Sequence, residues 1–497
     1  MPKRTRRTKS PGSAAAKTRL RSTAGRWIVA AAVLGSGAVF LESTVVNVAL
    51  PSLARDLGLG MDGVQWVVNG YLLTLSALML LGGALGDVYP RARVFALGAI
   101  AFGIASLAAG VMPTLPLLVA ARVAQGAAGA LLVPNSLALL EESFEGDERG
   151  AAIGRWAAWS AVSTAAGPFA GGWIVDAFSW RWVFAAVAPF AFGAAWMALR
   201  LAPTPRSAAR RPIDFAGAAL VTVALGTLVA VLVAAPRLGI GDARILAGGA
   251  VGVAALAGFV VHEGRTANPL LPLRLFRSRQ FSAVNVTTLF VYAALGAVFL
   301  LLVLVLQNAL GYTAMRSGMA LLPLNAVMLV VSPFAGRRAG KIGPRIPMTA
   351  GALVGAVGLL LLSRLSADAD YVRDVLPGLL VFALGLSTLV APLTAAVLGA
   401  VPDEFGGVAS AVNNSVARVA GLLATAALPA ILGAAASESL AGAPLLDGFR
   451  RVLMAAAGLC VAGAVTTVLF VSSGAKVEVV AHPSSAHGCT QSRAKVA

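Results

Sequence analysis

Trp27-Ile-Val-Ala-Ala-Ala-Val-Leu-Gly-Ser-Gly-Ala-Val-Phe-Leu-Glu42-Ser-Thr-Val-Val-Asn47-Val-Ala49 decides what kind of fold this chain can have. Over these residues the only charge is Glu42. A helix rises about 1.5 Å per residue, so the run can cross a hydrocarbon core of about 30 Å. Nine bases and no acid precede it: Lys3, Arg4, Arg6, Arg7, Lys9, Lys17, Arg19, Arg21 and Arg26. A secretory signal also begins basic, but its apolar core covers only about 7–15 residues before a small-residue cleavage site. The longer run here reads as an uncleaved first membrane helix behind a disordered, basic cytosolic tail over residues 1–26.

Working outward, thirteen more stretches have the same character: 64–84, 92–112, 115–140, 151–175, 180–200, 214–234, 244–262, 282–308, 315–336, 346–364, 374–400, 407–433 and 449–472. The connections are short and rich in Pro, Gly and Arg. Charged residues make up 12% of the chain and hydrophobic residues 58%. A soluble protein carries about 25% charged residues, so most of this surface must face lipid. The fold class expected is all-α, with fourteen membrane-spanning helices.

The net charge of +18 raises the question of nucleic acid. The bases, however, sit in short clusters between apolar runs rather than on one face of a domain, so no nucleic-acid partner is expected. With the N-terminus inside, 28 Lys and Arg fall on the cytosolic side and nine outside. The remaining two, Arg122 and Arg418, lie within spans, which accounts for all 39. That bias is the positive-inside pattern, and it places both termini in the cytosol of a multi-pass protein of a bacterial inner membrane.

Two cysteines, Cys460 and Cys489, and three histidines without a ligand spacing exclude a disulfide framework and predict no metal site. No G-x-x-x-x-G-K-[ST] loop is present to cradle a nucleotide phosphate. Any transport would therefore draw on an ion gradient or on the substrate's own gradient, with no cofactor. The acidic run Glu141, Glu142, Glu145, Asp147 and Glu148 has no histidine beside it and reads as a solvated loop, which argues against a membrane-embedded enzyme.

Glu42, Arg122 and Arg418 lie well inside spans, where a charge costs at least about 2.5–3.5 kcal/mol and is rarely idle. Glu42 is about seven residues before the outer end of span 1, and Arg122 about seven residues into span 4. Both then sit roughly 10 Å below the outer boundary and can pair if the two helices are neighbours. Burial and a neighbouring guanidinium pull a carboxyl's proton affinity in opposite directions, which suits a group that loads and releases a proton. The alternative is a structural ion pair. Arg418, near the middle of span 13 with Asn413 and Asn414 close by, either binds an anionic group or holds a helix contact.

Two loops look like a repeat: Gly83-Ala-Leu-Gly-Asp87-Val-Tyr-Pro90-Arg91 after span 2, and Gly336-Arg-Arg-Ala-Gly340-Lys-Ile-Gly343-Pro-Arg345 after span 10. They divide the chain into a six-helix half over 27–200, two inserted helices and linkers over 201–280, a second six-helix half over 281–472 and a cytosolic tail over 473–497. Repeated helix bundles are a transporter trait, with the site between the repeats.

Four stretches, in order and at matching positions, resemble the major facilitator superfamily, in particular its fourteen-helix drug:proton antiporter branch. They are Leu41-Glu42 to Pro51, where the branch usually has Asp; Gly83 through Asp87 to Arg91 and Arg93, with Pro90 in place of the usual Gly; Leu117 to Arg122 with Gln125-Gly126 and Gly129; and Gly167-Pro168-Phe-Ala-Gly171-Gly172. Gln65-Trp66 with Tyr71, Ser179 to Trp182, and Asn413 to Arg418 are similar too. The resemblance covers about residues 27–472. It implies proton coupling through Glu42 and Arg122, and a gate latch at Gly83, Asp87, Arg91 and Arg93. For Gly167, Pro168, Gly171 and Gly172 it implies a flexing contact of an exporter. Pro168 frees a backbone carbonyl, and the glycines admit a second helix.

The implied activity is proton-driven efflux of hydrophobic, often cationic, drugs or of antibiotics in self-resistance, by a protein expected to act as a monomer. An exporter or importer of an endogenous metabolite would share the fold. Few carboxylates besides Glu42 lie in the first half, so a strict dication preference is not expected. The polar candidates for the substrate cavity are Asn47, Trp66, Asn69, Gln125, Asn135, Asn413 and Arg418.

Overall fold

The computed structural model describes residues 19–201, 213–402, 406–433 and 440–473. The tails before 19 and after 473, and linker residues 202–212, lie outside the described residues. The helices follow from the solvent. In lipid no water satisfies backbone N–H and C=O groups, so each span must bond to itself as a helix. In chain order these are α1 (Thr23–Leu57), α2 (Met61–Val88), α3 (Arg91–Val111), α4 (Leu115–Ser143), α5 (Gly146–Ala177), α6 (Trp180–Leu201), α7 (Phe215–Leu238) and α8 (Ala243–Arg265). Then come α9 (Arg279–Asn308), α10 (Ala314–Ala320), α11 (Leu322–Ile342), α12 (Arg345–Leu362), α13 (Leu376–Leu398), α14 (Gly406–Leu432) and α15 (Gly442–Phe470).

α10 and α11 form one span, interrupted at Leu321 just before Pro323. Among the described residues, thirteen spans are long and apolar enough to cross a membrane. The 32-residue α5 makes the fourteenth long helix, and its Gly, Ser, Thr and Trp content keeps it less apolar. Side chains set several starts: Ser22, Asp214, Asp242, Ser278 and Thr313 each accept a bond from a first-turn N–H. α1 stops at Gly58, whose φ of 64° favours glycine.

Two spans extend furthest beyond the sequence reading. α1 begins at Thr23, within the segment expected as tail, and runs to Leu57 past Pro51. Leu20, in that same segment, is buried, and its N–H donates to Glu148 at 3.2 Å. That bond draws one member of the acidic run into the fold, so the run is not simply solvated. α15 begins at Gly442, not 449, because a polar Asp447 does not interrupt a helix that emerges from the membrane.

Five helix pairs build the first half: α1 packs on α5 and α6, α3 on α4 and α6, and α2 on α4. The second half repeats every one, with α9 on α14 and α15, α12 on α13 and α15, and α11 on α13. The two quoted loops occupy equivalent turns, with Pro90 immediately before α3 and Pro344 immediately before α12. The halves meet reciprocally, α2 against α14 and α5 against α10, with α1 on α9 between them. The inserted α7 and α8 pair with each other, and α7 covers the α2–α14 seam through Leu225 and Val229 against Ala77, Leu422 and Ala426. Large apolar side chains are also exposed all round, among them Ile104, Val253, Leu329, Phe334 and Leu469. Such a surface suits lipid and would aggregate in water.

Candidate functional site

α4 meets α2 closely because Gly126 has no side chain. A Cβ there would collide with the Tyr71 carbonyl and the Thr74 hydroxyl. Thr74 donates to the Val123 carbonyl at 2.8 Å across the same contact. This approach places Arg122 under the Tyr71 ring, with the guanidinium carbon 4.4 Å from the ring centroid.

Arg122 is 2% exposed and Glu42 0%. Their side chains form an ion pair between α4 and α1. Arg122 also donates through Nε to the Val67 carbonyl at 3.0 Å and through Nη1 to Gln125. Gln125 in turn donates to Ser106 at 2.6 Å. The Oε2 atom of Glu42 has no hydrogen-bond partner among the described residues, which leaves an oxygen free to take a proton. The structure thus joins the two charges that depth alone had paired. The stagger differs from the expectation: α1 runs fifteen residues beyond Glu42, because Arg55 and Asp56 continue it past the apolar stretch to an Asp56–Arg181 ion pair of 2.6 Å.

A cavity of about 370 Å³ lies between the halves, beside this pair. Of the seven cavity candidates, Asn47 and Arg418 line it. The others serve elsewhere. Trp66 packs at the α7 seam. Gln125 is sealed behind Arg122, and Asn69 is fully buried off the lining. Asn135 donates to the Gly82 and Leu131 carbonyls, at 2.8 and 2.7 Å, and so staples α2 to α4. Asn413 donates to Asn285 at 3.2 Å and Thr288 at 2.7 Å and ties α14 to α9. A polar residue in a span can satisfy a neighbouring helix as readily as line the central cavity, and Asn135 also lines the cleft at the basic end of the bundle.

The glycine motif of α5 faces two ways. A Cβ at Gly167 or Gly171 would meet Thr44 or Val45 of α1. A Cβ at Gly172 would meet the backbone of Ala314 and Met315, and one at Gly318 would meet the Pro168 carbonyl. α5 therefore touches α1 of its own half and α10 of the other with almost no side chain between.

At the end of the bundle rich in bases, Asp87 pairs with Arg91 at 2.9 Å, and Arg91 also reaches the Ala138 carbonyl of α4 at 3.1 Å. Gly83 lies 3.8 Å, measured from an added Cβ, from Pro134, and Arg93 is exposed. A cleft of about 1080 Å³ opens there, with Gly83 and Asp87 on one wall and Ser410 and Asn414 of α14 on the other. At the opposite end the halves are tied. Gln307 donates to the Val48 carbonyl at 3.0 Å. Asp176 of α5 accepts from the Ala314 and Met315 amides at 3.1 and 2.8 Å, capping the start of α10 from the other half. The sequence reading had not singled out Asp176, Ser106 or Gln307. An acid near a span's end resembles any boundary residue, so no signal distinguished Asp176. The molecule is thus closed at one end and cleft at the other.

The sequence matches the Major Facilitator Superfamily pattern over residues 32–425. It is 33% identical to "Multidrug resistance protein Stp" of Mycobacterium tuberculosis over 408 residues, 82% of this chain and 76% of that protein. It is 35% identical to the "Tetracenomycin C resistance and export protein" of Streptomyces glaucescens over 404 residues, 81% of this chain and 75% of that one. Among solved structures, a D-xylose-proton symporter superposes with a TM-score of 0.65 at 15% identity, covering 91% of this chain and 99% of that one. At that identity the likeness speaks for the fold alone.

Proposed function

The chain belongs to the Major Facilitator Superfamily, a family of transporters, and we propose that it exports hydrophobic drugs or antibiotics in exchange for protons. The names of its relatives, which speak of drug and antibiotic resistance and of export, support the substrate class and direction. The buried Glu42–Arg122 pair beside a cavity between two repeated halves carries the proton-coupling part.

In the proposed cycle the basic end is cytosolic, as are both termini, and the cleft is the inward-facing state. Substrate enters through the cleft to the central cavity. The halves then rock about the side-chain-poor contact of α5 with α10, and the Asp176 cap on α10 releases as the outer end opens. Glu42 takes a proton on its free oxygen from outside. Neutral Glu42 holds Arg122 less tightly, and the guanidinium turns toward the carbonyl of Val67 and Gln125, which alters the cavity wall and expels the substrate. The proton leaves inward after the halves return. Arg122 cannot itself release a proton, so it serves as the fixed charge against which Glu42 switches.

Expression in a pump-deficient host tests the function: the wild-type chain raises growth on at least one antibiotic of a broad panel, and Glu42→Gln, present in the membrane at equal amount, does not. Equal protection by both would remove Glu42 from the mechanism. Protection by neither, across the panel, would remove drug export.

A further inference from the structure

The central cavity treats its two arginines differently. Arg122 is paired with Glu42, donates to Gln125 and the Val67 carbonyl, and lies against the Tyr71 ring. Arg418 lies on the same wall, its Nε is buried without a hydrogen-bond partner, and no carboxylate among the described residues pairs with it. A guanidinium presents five donors and no acceptor, and in a low-dielectric site an unpaired one is costly to keep.

Arg418 is not needed to hold its helix. α14 already meets α9 where a Cβ on Gly296 would strike the backbone of Gly421, and Asn413 bonds to Asn285 and Thr288 one turn away. The rest of the lining sharpens the point. Glu42 lies behind Arg122 with no exposed surface and offsets its charge, so the uncompensated charge that the cavity's described lining presents is the Arg418 guanidinium. Tyr71, Tyr292, Phe299 and Leu300 supply aromatic and aliphatic walls. A cation entering here meets like charge and no counter-ion. An anionic oxygen meets a donor fork shaped for it.

We infer that the substrate of this transporter carries an acidic group, a carboxylate, phenolate or enolate, on an apolar body, and seats that oxygen on Arg418. The inference rests on the export reading and narrows its substrate class away from cations. It also changes the electrical character of the cycle. An anion leaving while a proton enters moves charge in one sense, so an inside-negative potential assists both.

Two dyes with one xanthene ring and opposite charge test this in proteoliposomes of the full chain under an imposed pH gradient: fluorescein, which bears a carboxylate, and rhodamine 6G, its cationic ester counterpart. Wild type is expected to move fluorescein faster than rhodamine 6G. Arg418→Gln should lower fluorescein transport by about ten-fold or more, the loss of a hydrogen bond to a charged group. Rhodamine 6G should be unchanged or faster, which also reports that the variant is folded, and Arg418→Lys should restore part of the fluorescein transport. An equal loss of both dyes would make Arg418 a structural residue and overturn the proposal. Preference for rhodamine 6G, untouched in Arg418→Gln, would overturn it while export stands. Fluorescence polarisation of fluorescein on the detergent-purified chain separates the two readings: binding that Arg418→Gln abolishes, without gradient-driven transport in wild type, would keep the anion site and remove antiport.

Discussion

The two six-helix halves make the same helix contacts but handle charge in opposite ways. The first half buries an ion pair that is complete within itself: Glu42 of α1, Arg122 of α4, and the α2 carbonyl of Val67. Among the described residues of the second half the buried polar groups are neutral, Asn285, Thr287, Thr288 and Gln307 among them, and none of its described acids pairs with the central arginine on α14. A charge with a built-in partner can switch when that partner takes a proton. A charge without one has its counterpart still to come, in a ligand. On the proposed reading, one backbone repeat carries a coupling device on one side and a recognition device on the other.

Removing each arginine should expose the difference most strongly. Arg122→Ala leaves a buried acid without its partner, a loss of about 3–5 kcal/mol when a buried pair is broken. Arg418→Ala breaks no pair and removes a buried charge that has no partner, so it should be no less stable than wild type. Thermal unfolding in detergent measures both, and equal losses would erase the distinction. Next comes the contact joining the halves. Gly172→Val drives a side chain into the backbone of α10, an overpacking of about 1–3 kcal/mol, and should abolish turnover while the cavity still binds ligand. Transport and binding assays on one preparation check it.

Asn135→Ala should cost about 1–3 kcal/mol, because the Gly82 carbonyl loses its donor, and should leave substrate selectivity untouched. A changed drug profile would return Asn135 to the list of cavity residues. The smallest effect belongs to the Asp176 cap. Asp176→Asn weakens the attraction to the α10 amides by about 0.3–1 kcal/mol. It should increase outside labelling of a cysteine introduced at Asn47 and leave the melting temperature close to wild type.

Much of this was legible in the sequence where lipid imposes a strict rule. Span length follows from bilayer thickness, so all fourteen helices could be placed. Arg122 and Glu42 could be paired because a membrane turns sequence position into depth. Faces were not legible. Asn135 and Asn413 sit in spans as Asn47 does, yet two bond to neighbouring helices and one lines the cavity. Which way each points depends on where glycines such as Gly126 and Gly296 let helices approach, a property of pairs of helices that no single stretch displays. Tyr71 likewise read as a similarity to a family pattern, and only the α2–α4 contact shows it stacked on Arg122.

The pairing of proton and carrier at Glu42 is tested most directly by comparing two transport modes of Glu42→Gln in one set of proteoliposomes. Gradient-driven accumulation requires the proton to bind, whereas exchange of labelled for unlabelled substrate at equal pH requires only that the halves rock. The variant should exchange at near the wild-type rate and fail to accumulate substrate under any pH gradient. Accumulation that follows the gradient as wild type does would contradict a proton passing through this residue.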